Sequence, residues 1–326
     1  MKQYKPPFTL TPNIIHLCEE ICYEIGRLEG EKMTHPPLRL RRDNKIKTIH
    51  ASLAIEGNTL SLDQITSLME GKRVLGPSKD ILEIKNALSL YSDIRQFNPF
   101  SVDDLLKAHG ILMDGLIEPL GQFRASDVGI FKGEKVAHMA PPAKRVQTLM
   151  GDLFGFVEFS KDFSLLVKSC IFHYEFEFIH PFMDGNGRMG RLWQQLLLMK
   201  HHRIFEYIAL EELVKEQQSG YYEALGQSDE AGESTKFVEF MLDVILKTLA
   251  RYHTQKLLRP QDATSRLVYA SSLLAEKWFS RKDYLGVFPD ISTSTASRDL
   301  LFGVGSGILS QKGDHNQIMY QFIGLE

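Results

Sequence analysis

The amino-acid sequence predicts a mainly α protein: a helical domain carrying a β-hairpin flap, followed by a small C-terminal winged-helix-like α+β domain. Three observations predict it. Apolar residues recur at three- and four-residue steps through six long stretches. One extended island, closed by a double proline, interrupts them. Residues 266–326 then change to short helices and an alternating ribbon. With 326 residues, 43% of them apolar, the chain can bury more than one core.

The elements follow in order. "NIIHLCEEICYEIGRLEGEK" is the first amphipathic helix. "ASLAIEGNTLSLDQI" predicts a helix stopped by Gly57-Asn58, with Ser61 and Gln64 as a capping box for the next. "DILEIKNALSLYSDIRQF" ends at Asn98-Pro99, and Ser101 caps the helix that begins "VDD", whose acids suit a first turn. "DVGIFKGEKVAHMAPPAKRV" reads as two short strands around Lys132-Gly133. "FSLLVKSCIFHYEFEF", "RLWQQLLLMKHHRIF" and "KFVEFMLDVILKTLARYHTQKL" complete the helical body. The expected division is an N-terminal segment 1–95, a central domain 96–255, a linker 256–265 and a C-terminal domain 266–326. In the last, helix, short helix, helix and a two-stranded ribbon turning near Gly313 follow the order of a winged helix-turn-helix.

Composition excludes more than it assigns. A net charge of -3 gives no global sign of a nucleic-acid or membrane surface. From Arg266 onward about six basic residues balance about six acidic ones, so the footprint of nonspecific DNA binding is missing and a protein contact or dimerisation fits at least as well. No stretch approaches the ~18 apolar residues of a spanning helix, and the start lacks a signal-peptide core, so a cytoplasmic location is expected. Cys18, Cys22 and Cys170 show no paired spacing and read as reduced core thiols; a metal site of Cys18, Cys22 and His16 is the lesser alternative. His109, His138, His173, His201 and His202 form no metal-ligand spacing.

The chemistry concentrates in "HPFMDGNGRMGR", residues 180–191. Pro181 disfavours a helical residue before it, so the preceding helix should stop near Ile179 and leave His180 extended. The glycines permit positive φ, and Asn186 suits an N-cap for the next helix. Successive N–H groups at that helix start form an anion site, which Arg188 and Arg191, three apart, would flank. Two guanidiniums with backbone amides suit a polyphosphate. Asp184 beside it makes sense as a Mg²⁺ ligand, and His180 as a general base for an incoming hydroxyl. A lone glycine turn or histidine would mean only a capped helix; five such elements in register point to metal-assisted transfer of part of a nucleotide.

The loop resembles the signature of the Fic family (filamentation induced by cyclic AMP), H-P-F-x-D/E-G-N-G-R-x-x-R, at every fixed position, and the likeness extends over about residues 1–255. The resemblance implies a Fic-type helical domain and a protein adenylyltransferase, which moves AMP from ATP to a Tyr, Thr or Ser hydroxyl and releases pyrophosphate. It implies His180 as the base, Asp184 as the Mg²⁺ ligand, and Gly185, Asn186, Gly187 and Arg188 as the phosphate-binding turn. Arg191 would meet the γ-phosphate and Phe182 would anchor the loop in the core. The hairpin would be the target-docking flap, with Val128, Gly133 and His138 along it, and Tyr222 of the Tyr221-Tyr222 pair an adenine-side wall. Ser52, Glu56 and Gly57 resemble the Fic inhibitory motif S/T-x-x-x-E-G/N, whose glutamate pairs with the signature's second arginine, here Arg191.

The implied partners are ATP, Mg²⁺ and a target protein with a hydroxyl side chain, which includes the chain itself. A homodimer and nucleic acid at the C-terminal domain stay open, and no membrane is implied. Two further readings stand beside this one: a Fic enzyme that removes AMP or transfers another phosphate-containing group, and a nucleotide-sensing regulator acting through the winged-helix-like tail.

Overall fold

The computed structural model describes residues 4–30, 38–132, 135–257, 262–274, 277–289, 291–314 and 318–323. They form two compact units, one of residues 4–30 and 42–251, the other of residues 38–41 with those from 252 onward.

The first unit is helical: α1 (Pro12–Gly30), α2 (Leu38–Ile55), α3 (Leu62–Met69), α4 (Ser78–Ser92), α5 (Val102–Leu112), the hairpin β1 (Gly129–Lys132) and β2 (Lys135–Met139), then α6 (Ala143–Phe159), α7 (Leu165–Ile179), α8 (Asn186–His201), α9 (Leu210–Glu216), α10 (Gln218–Ala231) and α11 (Thr235–Leu257). Its centre is the α7–α8 helical hairpin. Both helices are buried over most of their circumference, which is how a helix at the core of a large domain differs from an amphipathic surface helix. Trp193, fully buried on α8, donates its indole N–H to the Pro99 carbonyl at 3.0 Å and so ties the hairpin to the approach of α5.

Several starts and stops follow the local chemistry. Ser61 and Gln64 close their capping box on α3, and the Ser101 hydroxyl accepts from the Asp104 N–H at 3.2 Å. α4 stops at Ser92, earlier than its apolar period, and Ile94–Gln96 adds one 3₁₀ turn before Asn98. The segment 1–95 is not a body of its own, since α1, α3, α4 and most of α2 belong to the unit that holds α7 and α8. Nor does a linker begin at 256: α11 runs through Leu257, and residues 258–261 lie outside the described ones.

The second unit adds α12 (Ala263–Leu274), β3 (Phe279–Ser280), α13 (Arg281–Val287), α14 (Thr293–Gly305), β4 (Leu309–Lys312) and β5 (Met319–Phe322). Its antiparallel sheet has the order β3-β5-β4. The expected two-stranded ribbon has a third strand, because Phe279 and Ser280 pair with Tyr320 and Met319; two residues are too few to show a period of two. Leu267, Ala270, Phe279, Tyr284, Leu300, Leu309 and Phe322 form the core. Through it runs one ion pair, Arg266 to Asp299, bidentate at 2.6 and 2.8 Å, with the Tyr284 hydroxyl on the same carboxylate at 3.3 Å.

Breaking a buried pair by removing one partner strands the other charge. Asp299→Ala should therefore cost the second unit about 3–5 kcal/mol. Calorimetry of the full chain should show a lowered transition for that unit; a loss under about 1 kcal/mol would mean that Arg266 finds water instead.

Candidate active site

The α7–α8 connection is six residues long, and its backbone is bent at both ends. His180 has φ 49° and ψ 62°, left-handed and not extended, and it is the non-glycine residue with positive φ among the described residues. Pro181 excludes the right-handed helical conformation before it but not this one, and the turn ends α7 at once, with the His180 N–H on the Phe176 carbonyl at 2.9 Å. A left-handed L-residue is strained by roughly 1–2 kcal/mol, so neighbours must hold it there. Arg124, 4% exposed, does so. Its N–H donates to Pro181 O at 2.9 Å, and its guanidinium donates to the carbonyls of His180, Ile179, Pro141 and Ser126.

At the other end Gly185, φ 86°, precedes α8; a methyl there would stand 2.8 Å from the Met113 sulfur. Gly185, not Asn186, is the N-cap. Asn186 is the first helical residue, and its amide turns back into the loop, accepting from Phe182 N at 2.9 Å and donating to Phe182 O at 2.8 Å. Phe182, fully buried, stacks on His109 with ring centroids 3.7 Å apart. His109 Nδ1 accepts from the Gly121 N–H at 3.3 Å, so its Nε2 donates to Asp184 O at 3.1 Å. Burial keeps that ring neutral by depressing its pKa.

These braces aim the polar groups. His180 Nδ1 lies 3.3 Å from Glu177 O, and a proton there puts the lone pair on Nε2, the tautomer a general base requires. The half-exposed Asp184 carboxylate accepts on Oδ1 from Gly185 N at 2.6 Å and from Arg188 at 3.0 Å. Arg188 reaches Glu83 at 3.0 Å with its other nitrogen, and Asn58 donates to the second oxygen of Glu83 at 2.9 Å. Among the described residues no group of three or more His, Cys, Asp or Glu side chains converges on a point a metal could fill. Asp184 alone fits Mg²⁺ as that ion is usually held, by one or two carboxylates with phosphate oxygens and water.

Arg191 is the most enclosed of the site's cations. Its guanidinium donates to Ser52 Oγ at 3.1 Å, to Ser52 O at 2.9 Å and to Glu56 Oε1 at 2.7 Å. Burial is the largest single influence and works against this charge, but Glu56, Tyr221 and Glu177 together hold the arginine above its ordinary pKa. Ser52 lies on α2, while Glu56 stands one residue beyond it, in the turn that Gly57 makes at φ 90°. The Glu56 carboxylate lies against the first turn of α8: a methyl added at Gly187 would collide with it.

Of the aromatic pair, Tyr221 belongs to the core, with its hydroxyl 3.1 Å from His173 Nε2, while Tyr222 is exposed and close enough for burial and Glu56 to raise its phenol pKa. In the hairpin Ile130 pairs with His138, Phe131 with Val136, and an irregularity falls between. Val128 precedes β1, and Gly133 lies outside the described residues. Of the cysteines only Cys170 is buried; Cys18 is half-buried and Cys22 exposed, and all three are unpaired.

Glu83, His109 and Arg124 were not singled out for the site in the sequence, since each is remote from the loop and lies in no motif. Glu177 had a faint signal, four residues after His173. Burial outweighs the pull of Arg191 and raises its carboxyl to about 7.

Residues 99–198 match the Fic/DOC family. A Fic family protein from Desulfovibrio desulfuricans G20, solved by crystallography, is 39% identical, with 99% of each chain covered and a TM-score of 0.77. The chain belongs to the Fic family. The protein adenylyltransferase Fic of Culex quinquefasciatus is 30% identical over 251 residues, 73% of this chain and 46% of that one. The Nematostella vectensis protein of the same name is 28% identical, covering 74% and 57%. This Fic chain thus spans about half the length of the curated relatives it matches.

Arg124→Ala should remove the common donor of four carbonyls and lower stability by about 3 kcal/mol. Urea unfolding would measure it, and limited proteolysis should cut earlier near residues 180–185; unchanged unfolding would show that the left-handed turn stands without it.

Proposed function

We propose that this chain is a protein adenylyltransferase held inactive by its own Glu56. The observation that carries the reading is the placement of the Glu56 carboxylate, on Arg191 and against the first turn of α8, where the loop has built a site for an anion. The family and the name its relatives carry support transfer of AMP.

In the reaction, backbone N–H groups from Gly185 to Gly187, with Arg188, hold the phosphates, and Arg191 takes the terminal one. Asp184 would hold Mg²⁺, which supplies charge neutralisation along the phosphates. His180 accepts the proton of the target hydroxyl through Nε2; the hydroxyl oxygen bonds to the α-phosphorus as the bond to the pyrophosphate oxygen breaks. A substrate backbone is registered on the hairpin edge by strand addition, and Tyr222 borders the base.

Glu56 opposes this twice. It repels phosphate, and it occupies the guanidinium that phosphate needs. Two unit charges ~4 Å apart at an effective dielectric near 20 interact by about 4 kcal/mol. With Glu56 about a third exposed, part of that is screened, leaving an effect on the order of 10²-fold. A cytoplasmic setting fits the three unpaired cysteines, and no helix among the described residues is long and apolar enough to cross a membrane.

Wild type, Glu56→Gly and His180→Ala, incubated with Mg²⁺ and ATP labelled at the α- or the γ-phosphate, test this. α-Label should reach protein, rise on the order of 10²-fold in Glu56→Gly, and be absent in His180→Ala. Transfer of γ-label would replace nucleotidyl by phosphoryl transfer, and no transfer by any form, with cell extract as acceptor, would sink the reading.

A further inference from the structure

A cleft of about 690 Å³ opens at the root of the flap, on a face of α7 other than the one that bears His173 and Glu177. Tyr174, Glu175 and Phe178 line it from α7, Arg145 from α6, Asp127 from the strand approach and Tyr4 from the N-terminal segment. Glu175 is 5% exposed. Its one described hydrogen bond is a long one, from the Tyr4 hydroxyl to Oε2 at 3.4 Å, and no cation pairs with it among the described residues. Arg145 lines the same cleft, yet is itself exposed to solvent.

A buried carboxylate without a counter-charge is costly, and burial raises Glu175 to about 7, against a smaller lowering from Tyr4. The remaining walls suit the missing charge. Tyr4, Tyr174 and Phe178 offer aromatic faces, which attract a cation and pack along an alkyl stem. Asp127 adds a second carboxylate at the mouth, where its Oδ1 also caps α6 through the Ala143 N–H at 2.7 Å. The cleft adjoins the transfer site through the backbone: Arg124 bonds both Pro141 O, on the cleft wall, and His180 O.

We propose that the Glu175 cleft is a second recognition site, taking the ammonium or guanidinium group of a lysine or arginine in the polypeptide that docks at the flap. That the occupant belongs to a polypeptide rests on the function proposed above; cation binding itself does not. A basic side chain near the acceptor hydroxyl would then select targets, which the nucleotide site cannot do.

NMR titration of the full chain without nucleotide tests the site, using N-acetyl-lysine N-methylamide, the uncharged N-acetyl-norleucine N-methylamide and n-butylammonium. Blocked lysine should bind roughly tenfold tighter than blocked norleucine. Glu175→Gln should erase that preference without lowering the melting temperature, and Arg145→Ala should keep or strengthen it. In the wild type, binding should tighten from pH 6 to pH 8 as Glu175 ionises, with Tyr4, Asp127, Arg145, Asp152 and Tyr174 as the other ionisable groups around it. Equal affinity for lysine and norleucine, or a preference that survives Glu175→Gln, would overturn the site. Butylammonium binding as tightly as blocked lysine would overturn the polypeptide source in favour of a free amine. None of these readouts requires transfer activity, so failure of the adenylyltransferase reading would be visible separately.

Discussion

Two guanidiniums on one buried helix must be neutralised, and that requirement organises the first unit. Arg188 and Arg191 are 5% and 4% exposed on α8, the helix at the centre of the fold. Leaving either without its carboxylate would cost about 3–5 kcal/mol, a large share of the stability of any domain. Asp184 of the loop reaches Arg188 from its half-exposed side, but the two buried ion pairs draw their carboxylates from elsewhere. Glu83 lies on α4 and Glu56 in the turn after α2, so the N-terminal helices must pack on α8 to bring the charges together. Asn58 joins the two arrangements, since it lies two residues from Glu56 and bonds Glu83. This is why the first ninety or so residues do not form a body of their own.

The loop between α7 and α8 uses a different solution for rigidity. Its shape is held by hydrogen bonds to backbone groups and by stacking, from Asn186, Arg124, His109 and Phe182, and none of these contacts includes Glu56. Two systems therefore meet here, joined through Asp184: a turn that sets backbone direction, and a set of ion pairs above it. A left-handed histidine is retained because the bonds around it are numerous, and its ring orientation follows from the same bend.

Much of this was legible in the sequence, for definite reasons. The residues of the loop are contiguous, so turn chemistry and charge could be read together, and Ser61, Gln64 and Ser101 announce their helices through local hydrogen bonds. Long-range partners were not legible. Glu83 is 105 residues from Arg188, and nothing in "DILEIKNALS" distinguishes it from a surface acid. α6 went unread as a helix because Gly151 and Gly155 interrupt its pattern, although neither glycine is needed for space. For His180 the proline argument excluded one conformation and left two, and tertiary bonds from Arg124 chose the one that propensity disfavours. Cys22 was expected in the core because its helix is amphipathic, yet it falls on the exposed side of α1.

The independence of the described braces from Glu56 bears on how the proposed inhibition works. If Glu56 distorted the catalytic turn, its carboxylate would have to carry part of the loop's hydrogen bonding, and it carries none of those described. It instead takes space and charge that a phosphate needs, beside Gly187 and on Arg191. Inhibition of this kind is competition for a preformed site. Release then requires only that the turn after α2 swing away, with Arg191 exchanging one anion for another, while Ser52 still holds the guanidinium through its hydroxyl and carbonyl oxygens. The arginine never has to be buried unpaired, and so the barrier between the two states need not include the cost of a stranded charge.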